Sequence, residues 1–283
     1  MSKLPSLDHI ILLVPDTWHS KPPAALAQAF HLYAGGAHAD GKTRNTLIIF
    51  PSGVYLELIS FLPPEDSHRA GHWWGAKAPG LIDWALTSAA AADVQRARDA
   101  LQHGGYGFTY DAPRPGGRAR PDGAVLQWEV TFPAGGVQRG AAPFWCHDVT
   151  PRELRVPAGG GAALHPCGAR GVDSLVLVAR PGDVRRWARA YEATAGVEPV
   201  RDERLKERGA VALKVPQANA DSKPVTLVVQ PPQDAFQEKL LEKAEVAIAE
   251  IVVDCGNNKD LPESIDEKVI ENGGFRIHFS IDA

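Results

Sequence analysis

Three apolar segments that open alike recur along the chain, and this recurrence constrains the fold more than any other feature. They begin with Asp8-His9-Ile10, Asp83-Trp84-Ala85 and Asp173-Ser174-Leu175. The aspartates are 75 and 90 residues apart, and a helical pattern follows each segment. A repeated unit of this size, with one strand, one helix and three further strands, cannot bury its sheet alone. We therefore expect paired βαβββ units whose sheets curve around a cleft.

The hydrophobic pattern supports such units. Apolar runs predict buried strands over 7–14, 46–50 and 54–61, and strict alternation predicts a half-buried strand over 124–132. Apolar residues spaced three and four apart predict a helix over 89–103, and a second helix is predicted over 183–195. A fourth, abbreviated unit is predicted to contain a strand at 246–254, a helix at 261–272 and a strand at 275–281.

Composition narrows the function classes. The 283 residues carry a formal net charge of -4, which gives no reason to expect a nucleic-acid partner. The three cysteines are scattered and form no disulfide framework, and no apolar leader or membrane-spanning run is visible. We expect a cytoplasmic protein with no membrane partner. A breaker-rich run over 157–161 predicts two domains, 1–160 and 161–283.

Several ordered motifs carry a resemblance to a known family. They are Leu7-Asp8-His9-Ile10, the run 41–45, Tyr55-Leu56-Glu57-Leu58-Ile59, the run 143–148 and the run 165–169. Over about residues 5–180 the chain resembles the glyoxalase-like domain of the vicinal oxygen chelate superfamily. The resemblance implies an α+β fold of paired βαβββ modules that form curved mixed sheets with flanking helices, here duplicated. It also implies a divalent metal in the concave sheet, with ligands from the first and last strand of each module.

Mapped onto this sequence, the resemblance implies metal ligation by His9, Glu57 and His147. Trp84 stands at the fourth position and cannot ligate, because its only polar atom is a donor. Two imidazoles and one carboxylate suit Fe, Mn, Zn or Ni, which would polarise a bidentate oxygen substrate. In the alternative, His9 is a hydrogen-bonded core residue, Glu57 faces solvent or pairs with Arg44, and the strand frays at His147.

Other side chains are candidates for substrate binding. Polar groups at the rim of the cleft are His38, Arg44 and Asn45, and Arg44 is suited to hold a carboxylate bidentately. The alternative for them is ordinary turn chemistry with a surface arginine. Tryptophans are dense in this half of the chain, and Trp74, Trp84 and Trp128 are candidates for an aromatic pocket, with core packing as the alternative.

Two further features suggest chemistry. Glu129 is the candidate general base, because a carboxylate in apolar surroundings takes up protons more readily, although a solvent-facing strand residue is the alternative. Arg114, Arg118 and Arg120 lie in a Pro/Gly-rich loop at 111–123, which suggests either a lid over an anionic ligand or a surface hairpin.

The sequence thus predicts a metal-dependent glyoxalase-like enzyme of the lyase, isomerase or dioxygenase type. Its substrate would be a small oxygenated organic metabolite. The sequence is also compatible with a homodimer of this chain. One alternative is a metal-free protein that binds or sequesters a small molecule on the same fold. Another is an assembly component whose modules only form interfaces.

Overall fold

The structure, a computed structural model, describes residues 4–90, 92–120, 122–258, 264–270 and 273–281. Its strands and helices fall into four successive units. The first contains β1 (Ser6–Leu13), α1 (Ala24–Ala29), β2 (Tyr33–Ala37), β3 (Thr43–Ile49), β4 (Tyr55–Phe61) and α2 (Glu65–Arg69). The second contains β5 (Gly80–Thr87), α3 (Ala92–Gly104), β6 (Thr109–Tyr110), β7 (Arg114–Ala119), β8 (Val125–Thr131), β9 (Pro133–Ala134), β10 (Phe144–Asp148) and α4 (Arg152–Arg155).

The second half of the chain repeats this order in reduced form. The third unit contains β11 (Gly171–Ala179), α5 (Val184–Ala195), β12 (Pro199–Val200), α6 (Glu203–Glu207), β13 (Val211–Val215), β14 (Val225–Gln230) and α7 (Ala235–Leu240). The fourth contains β15 (Val246–Asp254), β16 (Ser264–Ile270) and β17 (Gly273–Ser280). Within the described residues, no helix is long and apolar enough to cross a bilayer.

Strand pairing confirms the predicted fold of paired, duplicated modules. β1 runs parallel to β4 and antiparallel to β5, and β11 in the same way runs parallel to β14 and antiparallel to β15. The sheet therefore contains both parallel and antiparallel strand pairs. The two halves meet where Gly274 of β17 pairs with Gly80 of β5. The predicted domain boundary near residue 160 falls between α4 and β11 and stays a prediction.

β1 lies in the middle of the sheet and is buried on both faces, as its nearly continuous apolar sequence predicts. Successive side chains of a strand point to opposite faces. Ile10 and Leu12 pack beneath the helices in the main core, whereas Ile11 and Leu13 belong to a second cluster on the concave side. This alternation places His9 on the concave side as well, because it is two residues before Ile11.

The prediction of a helix over 261–272 is wrong for its described part, since β16 covers Ser264–Ile270 and pairs antiparallel with β17. The partner strand satisfies the backbone groups of this segment, and Ile265 is buried in the main core. Residues 259–263 and 271–272 lie outside the described part.

The Pro/Gly-rich stretch at 111–123 is not an open loop. Its central residues form β7, which pairs with β8 along its whole length in a hairpin, the alternative that the sequence left open. Arg118 lies in this strand and is only 2% exposed.

Candidate functional site

A cavity of about 130 Å³ lies on the concave side of the sheet, enclosed by the first and second units. The first unit contributes His9, Asn45 and Glu57 from β1, β3 and β4. The second contributes Arg118 from β7. An aromatic wall is formed by Trp128, Phe132 and Phe144 of the second unit and by Trp73 and Trp74 of the segment between α2 and β5. A few polar groups thus converge in an otherwise apolar hollow, as in small-molecule sites.

His9 is held in one orientation by the residue before it. Its Nδ1 lies 2.7 Å from Oδ2 of Asp8, and its ring stacks on Tyr55 with 4.7 Å between centroids. Burial alone would raise the pKa of Asp8, but the charges of Arg152 and Arg155 and the bond to His9 hold it well below its usual value. An ionised Asp8 accepts the proton on Nδ1, and this bond directs Nε2 of His9 into the cavity toward Glu57.

The Asp8 carboxylate is the centre of a buried ionic cluster. Arg152 donates to its Oδ1, and Nη1 of Arg155 lies 3.1 Å from its Oδ2. Arg155 also donates to Asp148 and to the hydroxyl of Tyr55. These bonds fix α4 against β1 and β4, and they leave Arg155 with its donors engaged.

Glu57 is the buried acid of the cavity. Its Oε1 accepts a bond of 2.7 Å from Nδ2 of Asn45, while Nε2 of His9 is 3.5 Å from Oε2 and Nε2 of His38 is 3.5 Å from Oε1. Burial raises the pKa of Glu57, but His38, His9 and Asn45 together lower it to about 2. The side chain is therefore a carboxylate at neutral pH.

The β2–β3 hairpin positions His38 and Asn45. Nδ1 of His38 lies 2.7 Å from the hydroxyl of Thr43, and Nδ2 of Asn45 lies 3.2 Å from Nε2 of His38. Asn45 and Nε2 of His38 are thus both directed at the same oxygen of Glu57. Gly35 leaves the room for Asn45, because a Cβ at that position would be 1.8 Å from Oδ1 of Asn45.

The sequence-predicted residues fall into two groups. The cavity brings together six of them: His9, His38, Asn45, Glu57, Trp74 and Trp128. Trp74 donates from its indole nitrogen to Asp83 at 2.8 Å.

The structure does not bring His147 or Glu129 to this cavity. Cys146 faces inward, so His147, the next residue along β10, points to the opposite face. There its Nε2 lies 3.1 Å from the hydroxyl of Ser88, and it lines a separate hollow with the exposed Glu129. The sequence indicated that successive side chains of β10 alternate between the two faces of the sheet, but it did not indicate which of them face the cavity.

Arg44 and Trp84 also lie elsewhere. The guanidinium of Arg44 binds the carboxylate of Asp16 at 2.6 and 2.7 Å, outside the cavity. Trp84 is 2% exposed in the main core, where it meets the ring of Tyr191 edge-on. Core packing for Trp84 and a surface position for Arg44 are the alternatives that the sequence left open.

Arg118 was missed as a fixed cavity residue, because its Pro/Gly-rich surroundings resemble a loop. It lines the cavity, yet neither of its terminal nitrogens has a hydrogen-bond partner among the described residues. One signal for its position was available in the sequence: the regular alternation of β8, the strand with which the segment around Arg118 pairs.

His9, His38 and Glu57 are side chains of the types that bind a divalent cation, and Nε2 of each histidine lies 3.5 Å from one oxygen of the Glu57 carboxylate. Ligand atoms about 2.0–2.2 Å from one ion lie at most roughly 4.2 Å apart, so each histidine–carboxylate pair meets this limit. The three atoms do not all lie within 4.8 Å of one another. In the described part of the chain, the only group of three that does is Asp8, His9 and Cys146, and Asp8 is already bound to two arginines.

Comparisons with known proteins agree with the fold. The sequence model of the glyoxalase-like domain matches residues 7–195. A hypothetical protein from Staphylococcus aureus is similar in structure, with a TM-score of 0.67, 11% identity and coverage of 98% of this chain and 100% of that one. A mutant of 4-hydroxymandelate synthase from Streptomyces coelicolor has a TM-score of 0.51 at 15% identity, covering 89% of this chain and 71% of that one.

A xylose isomerase-like TIM barrel/4-hydroxyphenylpyruvate dioxygenase fusion protein has a TM-score of 0.52 at 12% identity, covering 98% of this chain and 49% of that one. At these identities, the likeness concerns the fold alone. No curated protein sequence matches the chain significantly. The family match spans most of the chain and includes the whole cavity, and the chain therefore belongs to the glyoxalase-like domain family.

Proposed function

We propose that this protein is an enzyme that acts on a small oxygenated organic metabolite in the cavity, with a divalent metal ion held by Glu57, His9 and His38. One observation carries the proposal: the buried carboxylate of Glu57 lies 3.5 Å from Nε2 of His9 and 3.5 Å from Nε2 of His38. A buried negative charge is costly unless it is compensated. A cation shared by these three groups would compensate it.

The surroundings of the ligands also support the proposal. The second ring nitrogen of His9 is fixed by Asp8, and that of His38 by Thr43. Such outer partners are typical of metal-ligating histidines, since they set the tautomer and orientation of the ring. A set of two imidazoles and a carboxylate suits Fe(II), Mn(II) or Zn(II).

A bound ion would act as a Lewis acid toward an oxygen atom of the substrate. The chain itself supplies the rest of the site. Trp74, Phe132 and Phe144 shield the cavity from water, and Asp8 keeps Nε2 of His9 directed into the cavity. Lyase, isomerase and dioxygenase reactions are all compatible with this arrangement.

A second candidate function is metal-free binding of a small molecule. It is favoured by the present positions of the three side chains, whose ligand atoms do not all lie within 4.8 Å of one another. In this case a protonated imidazole would neutralise Glu57, and the cavity would hold its ligand without chemistry.

Elemental analysis of protein purified without chelators separates the two. The proposal predicts near-stoichiometric Fe, Mn, Zn or Ni in the wild type, and loss of the metal in His9→Ala and His38→Ala. His147→Ala is the matched control, because it removes an imidazole of the same sheet on the opposite face, and it should retain the metal. Absence of metal from the wild type, even after reconstitution, would favour the binding protein.

A further inference from the structure

We infer that the ligand of this cavity is an organic carboxylate with an apolar body about the size of one aromatic ring, and that Arg118 binds its carboxylate. The inference names the ligand class of the site described above and therefore rests on the cavity being the working site. It does not require the metal.

Arg118 is a buried cation whose terminal nitrogens form no ion pair and no hydrogen bond among the described residues. It is 2% exposed, and both Nη1 and Nη2 lack a hydrogen-bond partner among the described residues. No carboxylate in the described part of the chain lies within the 4 Å that defines an ion pair with it, and the nearby Glu57 is already bonded to Asn45. Arginine stays protonated in proteins, so a positive charge is buried here unpaired.

Two other arginines of the same two units, the buried Arg155 and the half-buried Arg139, are paired. Arg155 binds Asp8 and Asp148, and Arg139 lies 2.5 Å from Asp83. Burying an isolated charge is expensive, whereas an incoming carboxylate would accept two parallel bonds from the guanidinium. The missing partner of Arg118 is therefore supplied best by the ligand.

The backbone directs Arg118 to the cavity. The residue pairs with Leu126 of β8, and an isolated bridge links it to His38, whose imidazole flanks Glu57. The carboxylate of a ligand bound to Arg118 would thus lie beside the His38–Glu57 side of the site.

Cavity size and lining define the rest of the ligand. A hollow of about 130 Å³ is close to the roughly 150 Å³ cavity that accepts benzene in an engineered core. Its walls include Trp74, Trp128, Phe132 and Phe144, which offer aromatic faces and edges. One ring or a branched aliphatic chain fills this space.

The charge of the site favours a carboxylate over a phosphate. Arg118 is the only lining cation of the described residues without an acceptor, because Arg155 is saturated by Asp8, Asp148 and Tyr55. The Glu57 carboxylate in the same cavity would repel a dianion more strongly than a monoanion.

The test compares phenylacetate with its neutral isostere phenylacetamide, by tryptophan fluorescence and calorimetry at up to about millimolar concentrations. We expect the wild type to bind phenylacetate at least about tenfold more tightly than the amide. Arg118→Met should abolish this preference, and Arg118→Lys should retain part of it, because the charge stays but the planar fork is lost. Arg114→Met, in the exposed part of β7, should behave as the wild type.

Thermal unfolding supplies a second readout. Removing an unpaired buried charge should leave the melting temperature of Arg118→Met equal to or above that of the wild type, whereas removing a structural arginine would lower it. A lowered melting temperature, failure of Arg118→Met to fold, equal affinity of the wild type for acid and amide, or no detectable binding of phenylacetate would each overturn the inference.

The same titrations in metal-loaded and chelator-treated protein separate this inference from the proposed function. Acid preference that depends on Arg118 but not on metal supports Arg118 even if the metal proposal fails. Acid preference that depends on metal and survives Arg118→Met overturns the role of Arg118 and leaves the metal proposal standing.

Discussion

Asp8 and His9 are neighbours in one strand, yet Oδ2 of Asp8 lies 2.7 Å from Nδ1 of His9. Neighbours in a regular strand point to opposite faces. The register between β1 and β5 shifts between Leu7 and His9, so that Asp8 is the extra residue of a bulge. This bulge lets a single strand supply both the imidazole of the cavity and the carboxylate that orients it.

Replacing the Asp8 carboxylate should destabilise the fold strongly. Asp8→Asn leaves Arg152 and Arg155 with less compensating charge in a buried cluster, and breaking a buried pair costs about 3–5 kcal/mol. Urea denaturation measures the loss. Asp173→Asn is the control, because Asp173 occupies the same place in the third unit but is exposed, and it should cost less than about 0.5 kcal/mol. Equal effects at the two positions would contradict the cluster's role.

Substitution of two tryptophans should distinguish a role in core packing from a role in ligand binding. Trp84 is buried in the main core, so Trp84→Phe should lower the free energy of unfolding by about 1–3 kcal/mol and leave phenylacetate affinity unchanged. Trp128 lines the cavity and is half-buried, so Trp128→Phe should weaken binding with a smaller effect on stability. The assignment fails if Trp84→Phe is the variant that loses affinity.

Stability should fall on mild acidification because of His19. Burial first, and the charge of Arg44 second, lower the pKa of His19 from 6.5 to about 4, with Asp16 opposing them. The unfolded chain takes up a proton near pH 6.5, whereas the folded protein does so only near pH 4. The stabilising contribution is therefore complete above about pH 6.5 and is lost progressively as the pH falls to about 4.

Partial solvent screening limits this loss to about 1–2 kcal/mol. Urea denaturation at several pH values between about 7.5 and 4 should show a shallower slope for His19→Gln than for the wild type. His103→Gln, at an exposed position of α3, should keep the wild-type slope. An unchanged slope in His19→Gln would assign the acid sensitivity to other groups.

The three thiols should be protected in the native protein. Cys146, Cys167 and Cys255 are free and buried. Burial raises the pKa of the Cys146 thiol, while a hydrogen bond with Cys255 lowers that of Cys167. Because the thiolate is the reactive form, Ellman's reagent should react slowly before unfolding, with Cys167 first, and quickly with all three thiols in denaturant. Rapid native labelling of Cys146 would contradict its burial.

Much of the fold was predictable because apolar periodicity reports burial directly. The continuous runs at β1 and β4 and the alternation at β8 each became a strand, and the recurring aspartate-led segments became β1, β5 and β11. The segment at 264–270 was assigned wrongly, since its strand state depends on pairing with β17, the next strand along the chain, and its own residue pattern does not report that pairing.

The candidate site was predictable only in part. His9 and Glu57 stood out because polar groups in buried strands are costly without a purpose. His147 and Arg118 show where prediction of the site from sequence fails. A shift of one residue exchanges the faces of a strand, so sequence alone did not reveal that Cys146, rather than His147, faces the cavity. Arg118 depends on the β7–β8 pairing, which its prolines and glycines conceal.

The most direct test of the central claim is calorimetric titration of the metal-depleted protein with Zn²⁺ and Mn²⁺, comparing Glu57→Gln with Glu129→Gln. Both changes remove one carboxylate from the curved sheet, but only Glu57 lies in the cavity. We predict that Glu57→Gln weakens binding by at least about 100-fold, more than the loss of an outer partner typically does, and that Glu129→Gln leaves it unchanged. Equal binding by the two variants, or no binding by the wild type, would contradict a metal site at Glu57.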